Sequence, residues 1–277
     1  MSVEILVGTS GYAFDDWTGP FYPPRLPARE KLRFYAARFP ALELNSTFYR
    51  LPTAEWLADV ADRLPPGYPV VVKAFQGLTH DRTAPDPLPA FRDACGALAA
   101  RGMLAGVLLQ FPQRVHNDAE ARARLVALLD GLRGLTPIVE FRHRGWDADT
   151  VRALLADHGA AWCCVDAPPL PDLLPPVVAA TADVGVIRFH GRNAATWYGG
   201  DGPLRYDWAY SDAELSGWLP GIRDLAGKVR RLFLFFNNCH RAQSVAAARR
   251  MGALLAESGL APPLPEPAPG PRQGELF

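Results

Sequence analysis

Charged and polar side chains recur in this chain near the ends of short apolar runs, often two residues apart. Glu43 and Asn45 stand in ALELN, Lys73 in PVVVKAF, Gln110 in GVLLQFP, Glu140 and Arg142 in PIVEFRH, Asp166 in AAWCCVDA, Arg188 and His190 in VGVIRFHG, and Asn237 in RLFLFFNN. Brought to one place, such groups hold an anion on guanidinium forks and move a proton between imidazole and carboxylate. In that chemistry Arg142, Arg188 and Arg192 bind the anion, and Lys73 is a further cation or a nucleophile. His190 with Glu140 is the acid/base pair, oriented by Asp166 or Glu43. Three acids (Glu43, Glu140, Asp166) against three bases (Lys73, Arg142, Arg188) also fit a closed internal ion network, since buried charges have to be paired. His, Asp and Glu side chains converge here, which leaves a divalent metal open, but no HxH or HExxH spacing marks one, so the cofactor is not read from the sequence.

The elements that must position these residues follow from periodicity. The apolar runs, with EILVGTSG as the first, are β-rich, short and bounded by Gly, Pro or polar residues, as buried strands are. Between most of them lie stretches of helical period, such as AREKLRFYAARF, TAEWLADVADRL, LPAFRDACGALAAR, DAEARARLVALLDGL and HRAQSVAAARRMGALLAESG. The proline-rich PPLPDLLPPVVAAT predicts a turn or two at most. Eight strand–helix alternations, with no glycine-rich GxGxxG turn after any strand, predict an α/β fold of the (β/α)8 TIM-barrel type. Strand side chains alternate, so Leu42, Leu44, Val139, Phe141, Ile187 and Phe189 are expected against the helices. Glu43, Asn45, Glu140, Arg142, Arg188 and His190 are then inside. Lys73, Gln110, Asp166 and Asn237 complete a polar layer at the C-terminal end of the barrel, where barrel enzymes keep their sites.

Two long connections would ring that mouth, SGYAFDDWTGPFYPPRLP after the first strand and GRNAATWYGGDGPLRYDWAYS after the seventh. Tyr12, Phe14, Trp17, Phe21 and Tyr22 in one, and Trp197, Tyr198, Tyr206, Trp208 and Tyr210 in the other, are the flat walls that suit a sugar, base or ring carrying an anion. About half of them are expected simply to pack the loops down. The composition, 49% hydrophobic and 21% charged, supports a sizeable core. Lys+Arg and Asp+Glu are equal at 29 each, which excludes a global basic field drawing the protein to nucleic acid or anionic membrane. Cys95, Cys163, Cys164 and Cys239 show no CxxC spacing, the pattern of reduced thiols, and the apolar runs are too short to span a bilayer, so a cytoplasmic protein is expected.

The segments GTSGYAFDDWTGPFYP, LELNSTFYRLP, VVKAFQGLTHDR, LLQFP, VEFRHRGW, VIRFHGR and FNNCHRAQSVAAA resemble, in order, the signature segments of the YecE-like family, domain of unknown function 72. The resemblance runs from about Gly8 to about Ala248. It implies a TIM-type barrel of bacterial and archaeal cytoplasm and supplies no reaction. It adds Ser46, Thr47, Tyr49, His80, His143, Trp146, Gly191 and Asn238 to the signature positions at predicted strand ends. The chain departs from the family around Cys239 and His240. Residues 1–259 are expected as the barrel and 260–277 as a proline-rich flexible tail. The final QGELF resembles the Gln-x-x-Leu-Phe motif by which bacterial repair and replication proteins dock on the sliding clamp, with Gln273 hydrogen-bonding at a pocket filled by Leu276 and Phe277.

The expectation is therefore an enzyme (a hydrolase, lyase or isomerase) acting on an anionic, phosphate-bearing substrate at the barrel mouth. Nucleic acid brought near by a sliding clamp is one such substrate. Tyr49, His80, Gln110, Trp197, Asn237 and Asn238 join Asn45 and the arginines as its contacts. The alternatives are a phosphometabolite enzyme and a non-catalytic binder of a small ligand or nucleic acid.

Overall fold

A computed structural model describes residues 3–80, 86–199 and 204–265. Eight strands run through it: β1 (Glu4–Ser10), β2 (Ala41–Leu44), β3 (Val70–Lys73), β4 (Leu104–Gln110), β5 (Pro137–Glu140), β6 (Ala161–Asp166), β7 (Val184–Phe189) and β8 (Arg231–Phe236). Each pairs in parallel with its neighbours, and β8 returns to β1 to close the barrel. Gly8 permits the tight approach of β1 to β2, because a Cβ there would lie 2.3 Å from the Ala41 carbonyl oxygen.

The outer layer holds the expected helices, among them Ala54–Asp62, Leu88–Ala99, Ala119–Gly131 and Gln243–Glu257. Side-chain caps start several of them: the Thr53 hydroxyl accepts from Trp56 N, Asp118 from Ala121 N, and Ser211 with Glu214 forms a reciprocal capping box. Two helices that periodicity had not singled out, Asp212–Ser216 and Leu219–Ala226, follow the long connection after β7. Between β6 and β7 no helix forms among the described residues, as expected where proline denies the backbone donor and clashes with the preceding turn.

Strand alternation divides the apolar side chains into two cores. Leu42, Leu44, Val139, Phe141, Ile187 and Phe189 pack against the helices, while Leu6, Val71, Leu108, Ile138, Cys163, Val186, Phe233 and Phe235 fill the barrel interior. This is the predicted parity, with one correction. Trp162 and Cys164 belong to the outer core, so Asp166, two residues on, faces outward rather than into the polar layer. The chain also stays packed beyond residue 260. Leu260, Ala261 and Leu264 rest on the outer core, with Leu264 over Gly252.

Candidate active site

Ser10, Glu43, Lys73, Glu140 and Arg188 all point into the barrel near its C-terminal end, and register aligns Ser10 with Glu43 and Gln110 with Glu140. Glu43, Glu140 and Arg188 are essentially inaccessible to solvent. Arg188 donates from Nε to Glu43 Oε2 at 2.7 Å, and from Nη2 to Glu43 Oε1 at 2.6 Å and Ser10 Oγ at 3.2 Å. Its Nη1 donates to Glu140 Oε2. Four of the five guanidinium hydrogens are thus engaged by protein, so Arg188 cross-braces β1, β2, β5 and β7. That is the closed ion network, and Arg188 is not an anion receptor.

One layer toward solvent stand Arg142, His190, Asn45 and Asn237. Arg142 Nε lies 2.5 Å from Glu140 Oε1, and His190 Nε2 lies 3.2 Å from the same oxygen. Asn237 Nδ2 is 3.0 Å and Arg142 Nη2 3.4 Å from His190 Nδ1. A guanidinium nitrogen can only donate, so His190 Nδ1 must accept, which assigns the imidazole hydrogen to Nε2, at ion-pair distance from Glu140 Oε1 but without a well-formed hydrogen bond to it. Burial and the Arg142 charge push His190 down to about 3. It is therefore a neutral positioning group at physiological pH, and its expected acid/base role finds no support in this geometry. Burial alone would raise Glu140, but the Arg142 and Arg188 guanidiniums and the His190 contact hold it well below the usual carboxylate range. Asn45 Nδ2 approaches Asn237 Oδ1 at 3.4 Å, and Asn45 Oδ1 is buried without a hydrogen-bond partner among the described residues.

Lys73 differs from its neighbours. No hydrogen bond or ion pair engages its Nζ among the described residues, and Nζ lies 4.2 Å from the centre of the Phe48 ring. The residue keeps partial exposure at the mouth. Burial and the Arg188 charge push its amine down to about 7, and Glu43 and Glu140 offset only part of that. The four nearest charges already cancel, two carboxylates against two guanidiniums, so a proton on Lys73 is an unbalanced charge.

Aromatic side chains wall this floor unevenly. Trp197 is buried with Arg142 5.6 Å from its ring, and Tyr206 lies 6.3 Å from His190 and 6.4 Å from Trp197. Tyr49 is largely exposed, and His80 packs edge-on to Phe48 at 4.7 Å. Tyr198 accepts from Gln113 at 2.8 Å, linking the connections after β7 and β4. In the first long connection Trp17, Phe21 and Tyr22 are buried against one another and against Tyr35 and Phe39, so those rings pack the fold rather than the mouth.

Several expected site residues lie elsewhere. Asp166 takes Arg192 Nη2 at 2.5 Å, Tyr210 OH at 2.6 Å and Trp218 Nε1 at 2.6 Å on the outer side of β6 and β7. Asp166 and Arg192 thus form a separate structural cluster, fully served by protein donors. A cavity of about 470 Å³ opens beside it, lined by Asp166, Arg192, Pro168, Pro171 and Leu173. Asp166 and Arg192 there are paired with each other, and Arg144, which also lines it, donates to the Pro171 carbonyl at 2.8 Å, so it gathers fewer convergent polar groups than the mouth. Asn238 is buried and donates to Trp208 O at 2.8 Å, a scaffold contact of the β7 connection. His143 accepts from Gly145 N and stacks on His116. Among the described residues no three His, Cys, Asp or Glu side chains gather as a metal site. Gln273, Leu276 and Phe277 lie outside the described residues. Ser10 and Phe48 were absent from the expected site. The period-2 pattern of β1 marks Ser10 as inward, but nothing local singles out Phe48.

A closed eight-stranded barrel whose C-terminal mouth holds this polar set defines a TIM-type protein. The chain belongs to the family described as protein of unknown function DUF72, which it matches over residues 6–272. It is 28% identical to the UPF0759 protein YunF of Bacillus subtilis (strain 168), over 93% of this chain and 98% of YunF. Among solved structures it is similar to a DUF72 family protein of Thermotoga maritima MSB8, with a TM-score of 0.84, 31% identity and coverage of 91% of this chain and 99% of the other. A DUF72 family protein of Enterococcus faecalis V583 shares the fold at a TM-score of 0.82 with 21% identity, over 96% of this chain and 100% of the other. No helix among the described residues is long and apolar enough to cross a membrane.

Proposed function

We propose that this protein is an enzyme whose reaction takes place at the C-terminal mouth of the barrel, on an anionic substrate held by Arg142 and met by Lys73. The observation that carries this reading is the uneven engagement of the cations. Arg188 is consumed by Glu43, Glu140 and Ser10, whereas neither Arg142 Nη1 nor Lys73 has a carboxylate partner among the described residues. Replacing a buried ion network by apolar side chains is often neutral or stabilising, so stability alone is a weak reason for surplus cations in a protein interior. Asn45 and Asn237 add neutral hydrogen-bonding groups, and Trp197 and Tyr206 a flat wall, which together suit a small phosphorylated or carboxylated compound. His190 and Glu140 act by orienting Arg142.

The test is thermal unfolding with inorganic phosphate, ribose 5-phosphate and a single-stranded oligonucleotide as separate probes. Ribose 5-phosphate is expected to raise Tm by several degrees at a concentration about a hundredfold above its Kd, where the stabilisation is about 2.7 kcal/mol. Arg142→Ala is expected to abolish that shift while remaining folded. Equal Tm values with and without all three probes would sink the reading.

A second reading concerns recruitment. QGELF would bring the barrel to DNA through a sliding clamp, with Leu276 and Phe277 as apolar anchors and Gln273 at the pocket edge. The supporting observation is the motif itself, together with a net charge of zero that leaves no global basic field to find DNA unaided. Fluorescence anisotropy of a labelled GPRQGELF peptide with purified clamp tests it. Equal binding of the peptide carrying Leu276→Ala and Phe277→Ala would dismiss it.

A further inference from the structure

Of the 29 Lys and Arg residues, only three, Lys31, Lys73 and Lys228, are lysines. Lys31 lies 3.7 Å from Asp15, and Lys228 pairs with Asp224 at 2.8 Å. Lys73 stands inside the barrel with no carboxylate partner among the described residues, beside an aromatic ring and two arginines. A guanidinium stays charged under all ordinary conditions, whereas an ammonium loses its proton when burial and neighbouring cations disfavour the charge. A chain that uses arginine almost everywhere thus places an amine at the one inward cation position where the charge is not balanced.

We propose that Lys73 is an imine-forming lysine, and that the substrate at the mouth is an aldehyde or ketone carrying a phosphate or carboxylate group that rests on Arg142. This deepens the reading of the mouth as an active site for an anionic substrate and rests on it. The geometry provides the parts. Among the described residues Lys73 Nζ is partnered by a ring face rather than an oxygen, so no hydrogen bond ties up its lone pair once the proton has left. The carboxylates Glu43 and Glu140 lie close enough for their charge to act on it, with Arg142 on the same strand end as Glu140. In the step, the Nζ lone pair forms an N–C bond to the carbonyl carbon, the C=O π pair moves to oxygen, and that oxygen takes the proton that nitrogen gives up, leaving a carbinolamine. Its hydroxyl takes one proton and leaves as water while the nitrogen lone pair completes the C=N bond of the iminium. Amine, carbonyl compound and one proton thus yield iminium and one water, with no redox partner. The new cation sits where Glu43 and Glu140 stabilise it, and nucleophilic lysines are activated by this kind of desolvation beside other cations.

Reductive trapping tests the proposal on the full-length protein. Pyridoxal 5′-phosphate and glyoxylate serve as the phosphate-bearing and carboxylate-bearing probes, each followed by sodium borohydride and peptide mapping by mass spectrometry. At pH 7 an amine titrating near 7 is about half neutral, against about one part in 10³ or less for an ordinary lysine. Lys73 is therefore expected to carry at least tenfold more adduct than Lys31 or Lys228, with a trapping rate that rises through about pH 7. Lys73→Met should remove that adduct. Arg142→Ala should lower trapping of at least one probe several-fold, and the probe affected tells phosphate from carboxylate. Adduct spread evenly over the three lysines, or none on Lys73, overturns the imine. If ribose 5-phosphate still raises Tm in an Arg142-dependent way, the anion site stands without it, and if it does not, both fall together. Trapping on Lys73 that ignores Arg142→Ala overturns the placement of the anion.

Discussion

Two clusters in this protein join arginine to buried carboxylate, one inside the barrel and one outside it, and they are finished differently. Outside β6 and β7, Asp166 receives Arg192, Tyr210 and Trp218, and Arg192 also reaches Glu214 at 3.7 Å, so the one cation is met by two carboxylates and Asp166 by two neutral donors besides. Inside, Glu43 and Glu140 are met by Arg188 and Arg142, and Lys73 is added on top. The outer cluster leaves no cation unmet and pins the connection after β7, through Tyr210 and the Gly191 N–H that donates to its hydroxyl at 2.9 Å. The inner cluster carries a cation more than it can pair. Burial is common to both, and a leftover group able to meet a ligand is what distinguishes the inner one.

The largest expected effect breaks the inner brace. Arg188→Met strands Glu43 and one oxygen of Glu140, and stranding buried charges costs about 3–5 kcal/mol. Urea unfolding is expected to show a loss of that size or no folded protein. A loss below about 1 kcal/mol would mean the brace contributes little. Next comes acid. His190 has its folded value near 3 against an ordinary 6.5, so the unfolded chain binds the extra proton between those values. Its contribution is intact above about pH 6.5 and erodes by about 1.4 kcal/mol per pH unit as pH falls toward 3. Unfolding curves at pH 7, 5 and 4 should therefore diverge between the wild type and His190→Asn, with the variant losing less on acidification. Parallel losses would remove the imidazole as their source.

The outer cluster should answer more gently. Asp166→Asn keeps shape but weakens the Arg192 contact and leaves polar donors poorly served, a change of about 1–3 kcal/mol. Phosphate-induced stabilisation should survive it, because Arg142 and Lys73 are untouched. Loss of that stabilisation would join the two clusters functionally. The smallest effect has the opposite sign. Lys73 is held near 7 against an ordinary 10.5, so it opposes folding at every pH below about 10.5, and this penalty is nearly complete at pH 7. Lys73→Met is expected to raise stability by about 1–2 kcal/mol at pH 7. The gain should shrink as pH approaches 10.5. A destabilised variant would place Lys73 with the brace rather than with the reaction.

Much of the inner layer was legible because three strands alternate cleanly. In ALELN, PIVEFRH and VGVIRFHG the apolar residues take one parity and the polar ones the other, so placing Leu42, Val139 and Ile187 outside puts Glu43, Glu140 and Arg188 inside. The same reasoning failed at Asp166, since AAWCCVDA is apolar on both faces and carries no parity signal of its own. Only pairing with β7, where Cys163 faces Val186, shows which face is inner. Among the loop aromatics, Trp17 and Tyr22 read the same in sequence as Trp197 and Tyr206. Long-range packing decides that the first pair seals the fold and the second borders the mouth.

By itself the sequence determined the barrel class, the family and the inward identity of Glu43, Lys73, Glu140, Arg142, Arg188 and His190. These follow from local period and from segment order, which a chain carries before it folds. The tertiary structure alone decided what each group does. Whether Arg188 is saturated, His190 neutral or Lys73 unpaired depends on distances between β1, β2, β3, β5 and β7, and on removal from water. Charge state is a property of surroundings, and the surroundings here come from residues as far as 178 positions apart in the chain.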